Sequence, residues 1–169
     1  NSGDSTTAGM WQAIYGSFFI ALFVALVAFP LGIAAAVYIE EYASDTWLTS
    51  LISVNIRNLA GVPSIVYGLL GLSVFVKTLE GFTGGRSIIA GGLTLAILVL
   101  PIVIITAAEA LRAVPDSIRE AGFGVGATRW EVIRSHVLPY AAPGILTGVI
   151  LTLARAFGDA LPRAVVVKR

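Results

Sequence analysis

Arg155 and Asp159 stand four residues apart inside an otherwise apolar stretch, and a helix would set both on one face. A guanidinium stays charged and offers a two-pronged donor that fits an oxyanion. Asp159 would balance Arg155 when no anion is present. Charge inside an apolar span is costly and reads as functional by default; the competing reading is an ion pair that satisfies itself. Other candidates for chemistry fall away. The chain has no cysteine and one histidine, His136, so thiolate catalysis, disulfides and a zinc site are excluded, while the redox compartment stays open. Glu109, Asp116, Glu120 and Glu131 sit in a charge-mixed stretch where capping and solvation explain them. Gly122-x-Gly124-x-Gly126 has Ala127 where a dinucleotide fingerprint needs glycine, and no Gly-Lys-Ser/Thr follows for a phosphate-cradling loop. The spans hold no His-rich cluster, Ser/Lys pair or metal motif. The chain is therefore read as a non-enzyme that needs no cofactor and binds no ATP itself.

The elements that must carry these residues follow from composition. Hydrophobic residues make up 57% of the chain and charged ones only 12%, and the mean hydropathy is +0.89. Such a chain has too little polar surface to cover a soluble core, so lipid must cover much of it. A net charge of +1 argues against nucleic acid, which needs clustered Lys and Arg. Charges divide the chain into four candidate spans, each near the ~20 apolar residues that a crossing helix needs. The first covers residues 14–39, interrupted at Phe29-Pro30; the second lies between Arg57 and Lys77, with a bent entry at Ala60-Gly61-Val62-Pro63. The third, residues 87–108, is charge-free with a kink near Pro101. The fourth, residues 140–161, carries Arg155 and Asp159, and its Gly144-x3-Gly148 suits close helix packing. Trp11, Tyr15, Tyr38, Tyr42 and Trp47 fall near span boundaries as interfacial anchors. The start Asn1-Ser2-Gly3-Asp4 has no basic signal-peptide region and reads as cut or processed.

Between the third and fourth spans lies a charged, glycine-punctuated loop, residues 109–139. Ser117-Ile118-Arg119-Glu120 after Pro115 reads as a capping box, and Thr128-Arg129-Trp130-Glu131 as a second. These predict two short helices around a glycine turn, the second stopped by Pro139. Ile118, Ala121 and Val125 would share one apolar face, and Trp130, Ile133 and Val137 another. Such a hairpin could lie on lipid headgroups or dock on a protein partner. With the loop inside, Lys and Arg count five on each side, or five against two without the tail residues Arg163, Lys168 and Arg169.

Glu120-Ala121-Gly122-x3-Gly126 with Leu138-Pro139 resembles the EAA motif of type I ABC importer permeases. Residues 30–43, 60–68 and 126–130 look like the phosphate-specific branch of that family, its second membrane component above all, and the likeness covers most of residues 11–162. The resemblance implies an all-α integral membrane protein with the polytopic helix bundle of the type I ABC importer permease (MetI-like) fold. It would be one permease domain over residues 1–169, with about four spanning helices, a helix of the six-helix family pattern missing at each end, and a cytoplasmic coupling loop at 109–139. By the same resemblance Glu120, Ala121, Gly122, Gly126, Leu138 and Pro139 form the ATPase-coupling segment, and Arg155 and Asp159 lie along the substrate pathway. The implied partners are an ABC ATPase subunit, a second permease subunit, an extracytoplasmic phosphate-binding protein and membrane lipid, in the cell inner membrane. The implied function is ATP-driven phosphate uptake by alternating access. Alternatives are a permease for sulfate or molybdate and a truncated, non-transporting membrane remnant. The sequence departs from the family pattern where Gly122 replaces the usual alanine, His136 isoleucine, Asp159 glutamate and Ala160 threonine, and it leaves the pattern after Pro162.

Overall fold

A computed structural model describes residues 5–44, 46–78, 81 and 87–166, with side chains from residue 15 onward except those of residues 88, 153 and 155–166. The described residues are helical almost throughout, as lipid demands, since a helix satisfies its backbone groups within its own segment. Helix α1 spans Ser5–Val37 and ends in a π-helical turn, Tyr38–Tyr42. Helix α2 covers Trp47–Ala60, and α3, Ser64–Gly71, runs into a second π turn, Leu72–Thr78. Helix α4 is Ile88–Arg112 and α5 is Asp116–Gly124. The short α6, Arg129–Val132, passes through a π turn, Ile133–Val137, into α7, Leu138–Val166.

Three stretches are long and apolar enough to cross a membrane: Tyr15–Tyr42, Ile89–Arg112 and Arg129–Thr152. The expected span between Arg57 and Lys77 differs from its prediction. Helix α2 begins ten residues before Arg57, at Trp47, and the chain breaks at Gly61-Val62-Pro63 before α3; only the broken pair together makes a fourth candidate span. Pro63 has no N–H to continue α2 and restricts Val62 before it. Pro30 and Pro101 behave differently, because α1 runs through the first and α4 through the second without ending.

The chain packs as two units, Asn1–Ala28 with Pro63–Leu98, and Phe29–Val62 with Val99–Arg169. In the first, Phe23 sits on the bare backbone of Gly92. In the second, Val99, Val103, Leu111, Val132, Ile133 and Val137 are fully buried. Here Gly144 and Gly148 of α7 face Ala110 and Thr106 of α4; a Cβ on Gly148 would stand 2.7 Å from that of Thr106. Gly144-x3-Gly148 is thus a packing seam between neighbouring helices. Thr106 and Thr147 return their hydroxyls to carbonyls of their own helices, so neither brings an unmet polar group to apolar surroundings.

Candidate functional site

The charged loop takes its shape from local chemistry at three points. Pro115 is the residue before α5, with an extended backbone, and its carbonyl accepts from the Ile118 N–H at 3.1 Å. No side chain caps this end. The expected capping box at Ser117 is therefore corrected: the helix starts at Asp116, which places Ser117 inside the first turn. At its other end α5 closes in a Schellman turn. The Gly126 N–H donates to Phe123 O at 2.9 Å and the Ala127 N–H to Gly122 O at 3.2 Å. Gly126 has φ of +82°, a left-handed backbone that glycine adopts without Cβ strain. Thr128 then begins α6 with the expected capping box. The Thr128 N–H donates to Glu131 Oε2 at 2.7 Å, and the Glu131 N–H donates back to Thr128 Oγ1 at 3.4 Å.

Pro139 does not stop this second helix, contrary to the sequence expectation. Proline lacks the N–H for the regular helical bond and crowds the preceding turn. The helix absorbs this by widening into the π turn just before it, where the Leu138 N–H bonds Ile133 O. The chain from Arg129 to Thr152 is consequently one continuous helical stretch.

The apolar faces also differ from those expected. Gly122 is buried against Val132; a Cβ there would lie 2.7 Å from Val132 Cγ2. That contact centres the buried side on Ile118, Gly122, Val132, Ile133 and Val137. It turns Ala121, Val125 and Trp130 outward. Val125 is 83% exposed, Trp130 54% and Phe123 48%, and Glu120 and Gly126 are exposed beside them. Leu138 is half-buried, and Pro139 and His136 are exposed.

Beneath this rim the loop is fastened to the end of α1. Three consecutive residues there each meet one arginine. Arg112, last residue of α4, grips Glu40, with Nε donating to Oε2 at 3.2 Å and Nη2 to Oε1. Arg119 of α5 donates Nη2 to Glu41 Oε1 at 2.9 Å and Nε to the same oxygen at 3.3 Å. The Arg129 guanidinium lies over the Tyr42 ring, 5.5 Å from its centroid. Arg119 holds more than Glu41. Its Nη1 donates to Val114 O at 2.7 Å and Asp116 Oδ1 at 3.2 Å, and its Nη2 to Leu111 O at 3.0 Å. It thereby adds a second donor to Leu111 O, which already accepts the Val114 N–H at 3.2 Å, and meets the Val114 carbonyl just past the end of α4. The hydrogen bond with Glu41 holds the Arg119 guanidinium above its ordinary pKa, so Arg119 is cationic at any physiological pH.

The loop and its two short helices are legible in the sequence, whereas this fastening is not. Glu40 and Glu41 end an apolar run where solvated charges are expected, and Arg119 follows Glu41 by 78 residues. Tyr42, expected only as an interfacial anchor, carries Arg129 as well. Helix α7 includes positions 155 and 159, but the side chains of Arg155 and Asp159, like that of Trp11, lie outside the described residues. Among the described residues no group of His, Asp or Glu is placed to hold a metal ion.

Apolar helices with a folded, charged loop between the last two describe an integral membrane protein. Residues 28–166 match the family described as binding-protein-dependent transport system inner membrane component, and the chain belongs to that family. It is 41% identical over 167 residues to the phosphate transport system permease protein PstA of Mycobacterium leprae, covering 97% of this chain and 53% of that protein. It is 40% identical over 156 residues to the probable ABC transporter permease protein YqgH of Bacillus subtilis, covering 90% and 50%. The chain spans about half the length of the curated relatives it matches. A structure of the MetNI methionine ABC transporter in inward-facing conformations aligns with a TM-score of 0.67 at 21% identity, over 89% of this chain and 68% of that one. That likeness establishes the MetI-like helical fold.

Proposed function

We propose that this chain is part of a permease that carries inorganic phosphate across the inner membrane, driven by ATP hydrolysis in a separate ATPase subunit. The observation that carries this reading is the rim of residues 109–139, where Glu120, Ala121, Phe123, Val125, Gly126 and Trp130 face outward over buried Gly122, Val132, Ile133 and Val137. Apolar side chains on a charged loop suit a protein partner, and aromatic residues such as Trp130 are favoured anchors in interfaces. Gly122, Leu138 and Pro139 contribute indirectly: Gly122 lets α5 seat on Val132, and the other two carry the helix from the rim into α7. The loop faces the cytoplasm, residues 1–169 form one permease domain, and a second permease subunit completes the pathway. An extracytoplasmic binding protein delivers the anion. Arg155 grips phosphate in transit and Asp159 balances it when the path is empty. The substrate reading is supported by the phosphate-named relatives and by the fit of a guanidinium to an oxyanion.

The test places the chain in its full-length permease, co-expressed with the ATPase, the second permease and the binding protein, and compares ATP-dependent phosphate uptake in wild type and Arg155→Ala. Uptake should vanish in the variant while the complex still assembles. Unchanged uptake would make Arg155 structural. A wild type that moves sulfate or molybdate and no phosphate would overturn the substrate and leave the coupling loop standing.

A further inference from the structure

Helix α1 ends in Glu40, Glu41 and Tyr42, and each meets an arginine from a different part of the chain that leads through the loop: Arg112, Arg119 and Arg129. The middle contact is the most enclosed. Glu41 has 8% of its side chain exposed and Arg119 19%, against 59% for Arg112. Arg119 also bonds carbonyls at the end of α4 and the Asp116 carboxylate that opens α5. One guanidinium therefore joins the end of α1, the end of α4 and the start of α5. None of these atoms belongs to the outward rim, and none lies on α7 with the proposed anion site.

We propose that the Glu41–Arg119 pair is the positioning element that transmits movement of the loop to helices α1 and α4, acting as a clamp and touching neither partner nor substrate. The inference rests on the coupling role proposed above. A displacement applied at Val125 reaches the ends of α1 and α4 through Arg119 at the base of α5, while one applied at Trp130 also has the neighbouring contact of Arg129 with Tyr42. A buried, multiply bonded ion pair passes it on because separating the charges inside the fold is costly. A surface pair would slip and be screened. The π turn at Tyr38–Tyr42 is what brings three successive residues to bear on the loop, a local widening of the kind that recurs where helices do functional work.

The test uses the full-length permease with its ATPase, second permease and binding protein in proteoliposomes, and reads phosphate moved per ATP hydrolysed. Glu41→Gln removes the charge and keeps a hydrogen-bond acceptor. Arg119→Lys keeps the charge and cannot reach all four partners. Both complexes should assemble and hydrolyse ATP near the wild-type rate, while phosphate moved per ATP falls several-fold. An unchanged ratio in both variants would overturn the clamp. So would a proportional loss of assembly, hydrolysis and uptake, which is what a purely structural pair predicts. A wild type that transports sulfate in place of phosphate would refute the substrate alone, since the same ratio can then be read on sulfate. A wild type that never binds the ATPase would overturn clamp and coupling role together.

Discussion

Ion pairs in this loop are unequal because their surroundings are. Arg112 is largely exposed, and water and salt weaken its hold on Glu40; such pairs are worth about 0–1 kcal/mol. Glu41 and Arg119 are more enclosed: losing Arg119 strands the buried Glu41 carboxylate, at a cost on the order of 3–5 kcal/mol, while losing Glu41 opens a buried site and leaves Arg119 to Asp116 and two carbonyls. Glu41→Ala should thus lower the thermal midpoint of the purified permease clearly more than Glu40→Ala, and equal effects would show that burial does not rank them. Gly122 gives a second residue-scale prediction. A methyl group there meets the stiff, β-branched Val132, so Gly122→Ala should destabilise the fold, and Val132→Ala in the same chain should recover part of the loss. Independent, additive losses would count against the contact, because touching residues couple by about 0.5–3 kcal/mol. Gly126→Ala should cost about 1–2 kcal/mol through its left-handed backbone alone.

At the scale of elements, the sequence was legible where the signal is local. Thr128 and Glu131 lie three residues apart and cap α6 as their types predict. Ser117 and Glu120 have the same spacing and make no cap, since Pro115 already starts the helix two residues before the expected position. The apolar faces were misread because periodicity assumes that large side chains point inward. Here the closest approach is made by a glycine, which has no hydrophobic signal. The Glu41–Arg119 link was invisible for a different reason: nothing local distinguishes a carboxylate that will find an arginine in a distant loop from one that stays in water. The rim makes its own prediction. Val125→Glu or Trp130→Ala should weaken co-purification of the ATPase while membrane insertion and the thermal midpoint stay near wild type. Retention of the ATPase in both would place docking elsewhere.

For the molecule as a whole, charge-free stretches located the crossing helices well, because lipid penalises charge wherever it falls. They failed at α2, where Arg57 lies within an exposed helix and marks no boundary; the true break is backbone chemistry at Gly61-Val62-Pro63. Residues 1–169 contain no cysteine, so a full-length permease with any other cysteine replaced allows a test of topology. A single Val125→Cys should react with a membrane-impermeant maleimide in inside-out vesicles and be shielded when the ATPase is bound. Val99→Cys, from the buried core of α4, should stay unlabelled. Labelling of Val125→Cys from the opposite side would invert the proposed orientation.

The helix that begins at Thr128 carries on past Pro139, which changes what the loop is mechanically. From Arg129 to Thr152 it forms one rod of 24 residues, about 36 Å long at the usual helical rise. Its outer end carries Trp130 and its far part enters the membrane. The outward Trp130 and the seam where Gly144 and Gly148 pack on Ala110 and Thr106 of α4 therefore belong to one unbroken element.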